Sequence, residues 1–246
     1  MKRYVLAVVA LALGLVLFCG PYSNGAPDAQ AEPGDGTAAM ALSEAASTAM
    51  PGVGMQQVPE GYEQILKSND GRYTKAGWNH YGPGYFELDP ATGILTSHGG
   101  MGLFWYSVKQ FSDFVLELDF KCTNAETNSG VFVRVPGVPT SDDYIYHSFE
   151  IQIYDAGEGI HLTGAAYDAE APTHLASNPP GEWNHFKITF VGSRLQVELN
   201  GQQVMDWEAE GRGKVEDFEP RGYIGLQNHD DQSPVYFRNV YVKELG

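Results

Sequence analysis

Cysteine is almost missing from this chain: Cys19 and Cys122 are the two in 246 residues. If Cys19 is cleaved off or lipidated, no intrachain disulfide can form. A domain of this length must then be held by a hydrophobic core rather than by covalent staples. Positive charge is scarce as well. Fifteen Lys and Arg stand against 31 Asp and Glu, a formal net charge of −16. From residue 61 onward the count is 26 acidic to 13 basic. Phosphate-backbone binding needs clustered Lys and Arg, so no nucleic-acid partner is expected, nor electrostatic attachment to an anionic leaflet. Neutral sugars remain acceptable partners.

Recognisable local chemistry is also thin. There is no G-x-S-x-G, no phosphate loop and no Cys–His pair with a local signature. The seven histidines, at 80, 98, 147, 161, 174, 185 and 229, form no tight ligand motif. No metal or other cofactor is therefore expected. Asp142-Asp143 and Asp230-Asp231 could supply calcium ligands from loops, with solvated loop charge as the plainer reading.

No apolar run reaches the about 20 residues that span a bilayer. Met1-Lys2-Arg3 followed by the apolar stretch Val5 to Phe18 reads instead as an export signal. Two processing outcomes compete. Leu15-Val-Leu-Phe-Cys19-Gly20 resembles a lipoprotein box with Cys19 lipidated, although Phe18 stands where a small residue is usual. Ala29-Gln30-Ala31 offers ordinary cleavage. The protein is thus expected to be exported: periplasmic, secreted, or an envelope lipoprotein touching membrane through its lipid alone. The signal occupies 1–31 on the longer reading. Residues 20–59, rich in Ala, Gly and Pro, have little to bury and read as a disordered linker. The domain runs from 60 to 246.

Within that domain no long apolar pattern of period 3.6 occurs. What is there alternates. In Phe114-Val-Leu-Glu-Leu-Asp-Phe-Lys-Cys122 the residues Phe114, Leu116, Leu118, Phe120 and Cys122 share one face, and Glu117, Asp119 and Lys121 the other. That is a half-buried strand. Phe186, Ile188 and Phe190 repeat the pattern, as do Leu195, Val197 and Leu199. Gly192-Ser193 and Asn200-Gly201 separate these runs, and Asn-Gly suits a two-residue type I′ hairpin. Trp183 to Trp207 is therefore expected to be a three-stranded meander. About a dozen strands without helices imply an all-β sandwich or barrel.

Three runs carry polar residues opposite their apolar ones. Glu150, Gln152 and Tyr154 alternate with Phe149, Ile151 and Ile153; Phe132 and Arg134 with Val131 and Val133; Gln227 and His229 with Ile224 and Leu226. On one sheet these would form a face of carboxylate, guanidinium, amides, imidazole and aromatic rings. That composition suits a polyhydroxylated ring: aromatics stack on its C–H face while amides and charges reach its hydroxyls. The competing reading is a solvated sheet face. Glu150 and Asp155 could also pair as glycosidase carboxylates, but their odd spacing places them on opposite faces unless a bulge intervenes.

In family order the chain then shows Gly102-Leu-Phe-Trp-Tyr, Phe111-Ser-Asp-Phe, Asn128-Ser-Gly-Val-Phe-Val-Arg134, Phe149-Glu-Ile-Gln-Ile-Tyr-Asp155, Thr163-Gly-Ala-Ala-Tyr167, Gly181-Glu-Trp-Asn184, Leu199-Asn-Gly201, Gly222-Tyr-Ile-Gly-Leu-Gln-Asn-His229 and Phe237-Arg-Asn-Val240. Over roughly Gly61 to Leu245 it resembles the 3-keto-disaccharide hydrolase family. Two departures stand out. Leu66-Lys-Ser-Asn-Asp-Gly71 replaces the family's opening Asn-Gly-Lys-Asp-Leu, and Asp168 follows Tyr167 where Gly is common. The resemblance implies a concanavalin-like jelly roll of two antiparallel sheets. It also implies cleavage of glycosides already oxidised at C3, by proton abstraction, elimination and hydration. On that chemistry Glu150 is the expected base and His229 the acid, with Arg134 and Gln152 at the carbonyl. Gln227, Tyr154, Phe132, Tyr167 and Asn128 complete the expected substrate-binding set. A non-catalytic carbohydrate-binding module and, less favoured, a β-glucanase are the alternatives, because fold alone does not dictate function.

Overall fold

The structure, a computed structural model, describes residues 57–229 and 231–246. The expected signal, Cys19, nearly all of the expected linker and Asp230 lie outside the described residues. In chain order the strands are β1 (Glu63–Gln64), β2 (Ser68–Asn69), β3 (Arg72–Tyr73), β4 (Trp78–Tyr81), β5 (Tyr85–Leu88), β6 (Leu95–His98), β7 (Gly102–Tyr106), β8 (Phe114–Cys122), β9 (Ser129–Val135), β10 (Phe149–Ile153), β11 (Asn184–Val191), β12 (Arg194–Leu199), β13 (Gln202–Glu208), β14 (Tyr223–Asn228) and β15 (Val235–Glu244). No α-helix occurs among the described residues, only 3₁₀ turns at Asp142–Tyr146 and Gly159–His161.

Apart from a separate two-stranded β2-β3 ribbon, the strands form two antiparallel sheets, a jelly-roll sandwich. One sheet runs β13-β12-β11-β8-β15-β6-β5, with β1 beside the far end of β15. The other runs β10-β9-β14-β7-β4. The alternation read in β8 sets its packing: Phe114, Leu116, Leu118 and Phe120 are fully buried, while Glu117, Asp119 and Lys121 are partly exposed. The meander is β11-β12-β13, and both Asn200 (φ +52) and Gly201 (φ +77) take the left-handed conformation that a type I′ turn requires. The core lies between the sheets, where Phe186, Ile188 and Phe190 meet Phe149, Ile151 and Ile224.

The five-stranded sheet buries side chains on its other face too. Leu103, Trp105, Phe132, Val135 and Tyr144 form a second apolar cluster there. The segment 136–148 between β9 and β10 folds back across that face. Its 3₁₀ turn is capped by Ser141, whose Oγ accepts from Asp143 N at 3.3 Å, and it sets Tyr144 edge-on to Phe132 with centroids 5.1 Å apart. Half of the outer face is therefore roofed. The other half is the site.

Candidate active site

Glu150 and Gln152 project from β10 onto this outer face. In β9 Gln152 faces Gly130 and Glu150 faces Phe132, so Gly130 lies diagonally across from Glu150. A Cβ on Gly130 would meet Glu150 Oε1 at 2.1 Å, so the carboxylate lies across β9 only because that position has no side chain. The free edge of β10 is taken by the segment 163–167. Gly164 N donates to Gln152 O (2.9 Å), Gln152 N to Ala165 O (2.9 Å) and Tyr167 N to Glu150 O (2.8 Å). The small residues Ala165 and Ala166 are buried in that contact and carry Tyr167 to the side of Glu150. Asp168, which follows, has φ +57, in the region that favours glycine.

Glu150, Gln152, Asn128, Gln227, His229 and Tyr167 line one recess of about 80 Å³. The structure thus brings six of the sequence-expected residues together. At Met101 and His229 the recess adjoins a more open space of about 620 Å³ lined by Pro83, Gly100 and Ser233 among others. The wider space is lined by none of Gln152, Asn128 and Gln227, but it shares His229 with the smaller one. Together they fall within the roughly 300–1,000 Å³ of small-molecule sites. Along the floor Gln152 Nε2 donates to Asn128 Oδ1 (3.2 Å) and Asn128 Nδ2 donates to His229 Nε2 (3.2 Å).

Glu150 is 7% exposed, and its Oε1 has no hydrogen-bond partner among the described residues. Gln227 Oε1 likewise has none. Buried polar atoms are rarely left unpaired, so these two oxygens are acceptors that water or a ligand in the recess would satisfy. Burial pushes the Glu150 carboxyl up to about 8, with Lys214 pulling the other way. An apolar or desolvated setting favours the neutral acid.

Three expected residues stand elsewhere. Arg134 belongs to the core, not the recess. It has φ +59 in a bulge, where Val133 and Arg134 together oppose Ile224. A bulge shifts the facing of a strand by one residue, so Val135 joins the outer cluster and Arg134 turns inward. There its guanidinium lies 3.6 Å from the Phe190 ring centroid, donates to Ser112 O (3.2 Å) and sits 3.7 Å from Asp113. Burial lowers its pKa to about 10. Gly222 makes the bulge possible, since a Cβ there would fall 2.2 Å from the Arg134 carbonyl carbon. Phe132 is on the expected face, but Tyr144 and Trp105 cover it completely, so no sugar can stack on it. Tyr154 lies beyond the end of β10 and donates its hydroxyl to Glu126 at 3.2 Å.

The glucanase pair also fails to form. Asp155 accepts from Thr163 Oγ1 (2.6 Å) and Ser177 Oγ (2.8 Å) and does not line the recess. Asp142 and Asp143 start the 3₁₀ turn of the roof. Among the described residues no three His, Cys, Asp or Glu side chains gather as a metal site.

Sequence reasoning missed Lys214, Met101 and Ile145, which complete the lining. Lys214 comes from the long connection between β13 and β14. The turn Arg212-Gly213-Lys214-Val215 closes with Val215 N donating to Arg212 O at 3.0 Å. Gly213, at φ +60, presses so closely on Asp168 that a Cβ would lie 1.7 Å from its carbonyl oxygen. Glu216 N donates to Tyr146 O (2.8 Å) and His147 Nδ1 pairs with Asp217, which ties the connection to the roof. An isolated Gly-Lys in an acidic stretch was the available signal.

No curated protein matches the chain. Among solved structures, a provisionally assigned glycosyl hydrolase from Parabacteroides distasonis is 26% identical, with a TM-score of 0.62 over 75% of this chain and 99% of that one. A protein of unknown function with a galectin-like fold from Bacillus subtilis is 13% identical, with a TM-score of 0.50 over 74% and 94%. The carbohydrate recognition domain of Emp46p is 11% identical, with a TM-score of 0.51 over 77% and 100%. At such identities the last two speak for the fold alone. The profile described as a 3-keto-alpha-glucoside-1,2-lyase-like domain matches residues 65–243, and with that match over most of its length the chain belongs to this family of carbohydrate-related, hydrolase-like β-sandwiches.

Proposed function

We propose that the recess cleaves 3-keto-glycosides, with Glu150 as the base that opens the reaction. The observation that carries this reading is a buried carboxylate laid across Gly130, with one oxygen unpaired, inside a recess of amides. A C3 ketone acidifies the C2 proton. Glu150 takes that proton, and the electron pair moves onto the C3 oxygen as an enolate. When the enolate collapses, the C1–O bond breaks and a C1=C2 double bond forms as the ketone returns. The leaving oxygen takes a proton from His229. Water then adds at C1 and a proton returns to C2, so the net change is hydrolysis. Gln152, Asn128 and Gln227 hold ring hydroxyls, and Tyr167 borders the ring. The steps are proton transfers, loss of the C1 oxygen and addition of water, with no net oxidation or reduction, and need no redox cofactor. A carboxyl pushed up to about 8 is a stronger base than an ordinary glutamate, which suits abstraction from carbon. We place the reaction outside the cytoplasm, on the strength of the signal-like start.

The test is incubation of the purified protein with a 3-keto-disaccharide and with its unoxidised parent. Cleavage of the keto form alone is expected. Binding of either sugar without turnover would replace this reading with a carbohydrate-binding one. Cleavage of the unoxidised sugar would move the mechanism to ordinary glycoside hydrolysis.

A further inference from the structure

With Arg134 turned into the core, the proposed reaction has lost the cation that the sequence offered for the carbonyl. An enolate places a full negative charge on O3, and neutral amides oppose a developing charge less strongly than a cation does. Of the residues that line the recess, one carries a Lys or Arg side chain, and it is Lys214. We propose that Lys214 is a further catalytic residue, donating from its ammonium to the C3 oxygen as the enolate forms. This assignment rests on the keto-glycoside reading of the same recess.

The local construction supports it. Gly213 occupies the first central position of a tight turn with φ +60, as type II′ turns prefer. Lys214 follows it at the tip. Both flanks of the tip are fixed. Arg212 donates to Glu170 Oε2 (2.6 Å) and lies 5.4 Å from the Trp207 ring centroid. Val215 is buried, and Phe218 packs 4.8 Å from Phe149. The chain is thus held on either side of a side chain that is itself solvent-exposed at the rim. That side chain is laid over the recess by Tyr167: Nζ is 3.3 Å from the Tyr167 hydroxyl and 4.8 Å from its ring centroid. Burial tends to discharge Lys214, but the Tyr167 hydrogen bond and the neighbouring Asp168 outweigh it and hold the ammonium above its usual range. The group is therefore charged where Glu150 ionises. A lysine is a mobile point charge on a flexible stem, able to follow an oxygen whose charge appears only in the transition state.

The step balances without further reagents. The C2–H bond breaks, its proton goes to Glu150, and the pair becomes the C2=C3 double bond. The oxygen then carries the charge that the ammonium neutralises through a hydrogen bond. Collapse of the enolate returns the pair to expel the C1 oxygen.

The experiment compares the full chain with Lys214→Gln and Lys214→Arg. Two readouts are used: cleavage of a 3-keto-disaccharide, and exchange of the C2 proton of 3-keto-glucose in D₂O followed by NMR. The second needs no leaving group, so it isolates enolate formation. For Lys214→Gln, kcat should fall about 10²- to 10³-fold, the usual effect of losing one charge-stabilising donor. KM should change less than about threefold, because the charge is absent from the ground state. C2 exchange should fall in parallel, and Lys214→Arg should recover at least about tenfold of either rate. A purely structural role for Lys214 would not produce that recovery or the kcat–KM split. If the parent chain cleaves and exchanges but Lys214→Gln does both at the parent rate, Lys214 is not the charge partner and the keto-glycoside reading stands. If the parent chain neither cleaves nor exchanges, the functional reading falls and takes the Lys214 role with it.

Discussion

Replacing Glu150 with Gln keeps the shape of the side chain and removes its ability to ionise, which makes stability against pH a direct probe of its burial. In the folded chain the carboxyl lies at about 8 against an ordinary 4.5. The folded state therefore holds the proton more tightly than the unfolded state does. The resulting stability is fully present below about pH 4.5 and is lost as pH rises through 8. The gap between those values, at about 1.4 kcal/mol per pH unit, sets a ceiling of about 5 kcal/mol. Glu150→Gln carries no such dependence. Its stability relative to the parent should rise from about 1 kcal/mol at pH 5 to about 3 at pH 7, approaching the ceiling above pH 8.5. Any fixed difference between amide and neutral acid cancels from this slope. Urea unfolding of both proteins at pH 5, 7 and 8.5 reads it. At about 2 kcal/mol per molar urea, the midpoints should separate by a further ~1 M between the first two points. Parallel stability curves would show that water reaches the carboxylate and that burial does not set its ionisation. The reasoning from Gly130 and the unpaired oxygen would then fail.

The same ionisation should appear in turnover. As the base, Glu150 must be deprotonated, so kcat/KM on a 3-keto-disaccharide should rise with pH and level off near 8; a flat profile from pH 5 to 9 would take the base role from it. Glu150→Gln should lower kcat about 10²- to 10⁴-fold with little change in ligand affinity, measured by kinetics and calorimetry together. Gly130→Ala should act like a partial Glu150 variant, because the new methyl claims the space of Oε1; turnover should fall at least about tenfold while the far-ultraviolet spectrum is kept. Arg134→Ala should do the reverse, costing about 2–4 kcal/mol, read as a lower Tm, through the packing lost against Phe190. Its kcat should stay within about threefold of the parent, and a loss comparable to that of Glu150→Gln would return Arg134 to the site.

Much of this protein could be read from its chain because alternation is a local property. A strand exposes its two faces at every second residue, so Phe114 to Cys122 announced a half-buried strand and Asn200-Gly201 announced its hairpin without reference to anything distant. The same rule put Glu150 and Gln152 on one face, and Gln227 with them once β10, β9 and β14 became neighbours. Asn128 and Tyr167 came from the ordered motifs rather than from periodicity.

What the chain alone could not decide was where alternation breaks and what covers a face. Arg134 follows the pattern in sequence and departs from it in space, because the bulge arises from pairing β9 with β14, nearly ninety positions away, and from the bare backbone of Gly222. Phe132 is placed as expected, yet it is sealed by Tyr144 from a connection that has no periodicity to read. Lys214 reaches the recess through contacts of its loop with Asp168 and Tyr146, none of them encoded by spacing. Even the chemistry of Glu150 is tertiary. Its residue type and face were local, but the desolvation that moves its pKa comes from the roof, the neighbouring strand and the segment 163–167 closing around it, and a dielectric environment exists only once the chain has packed.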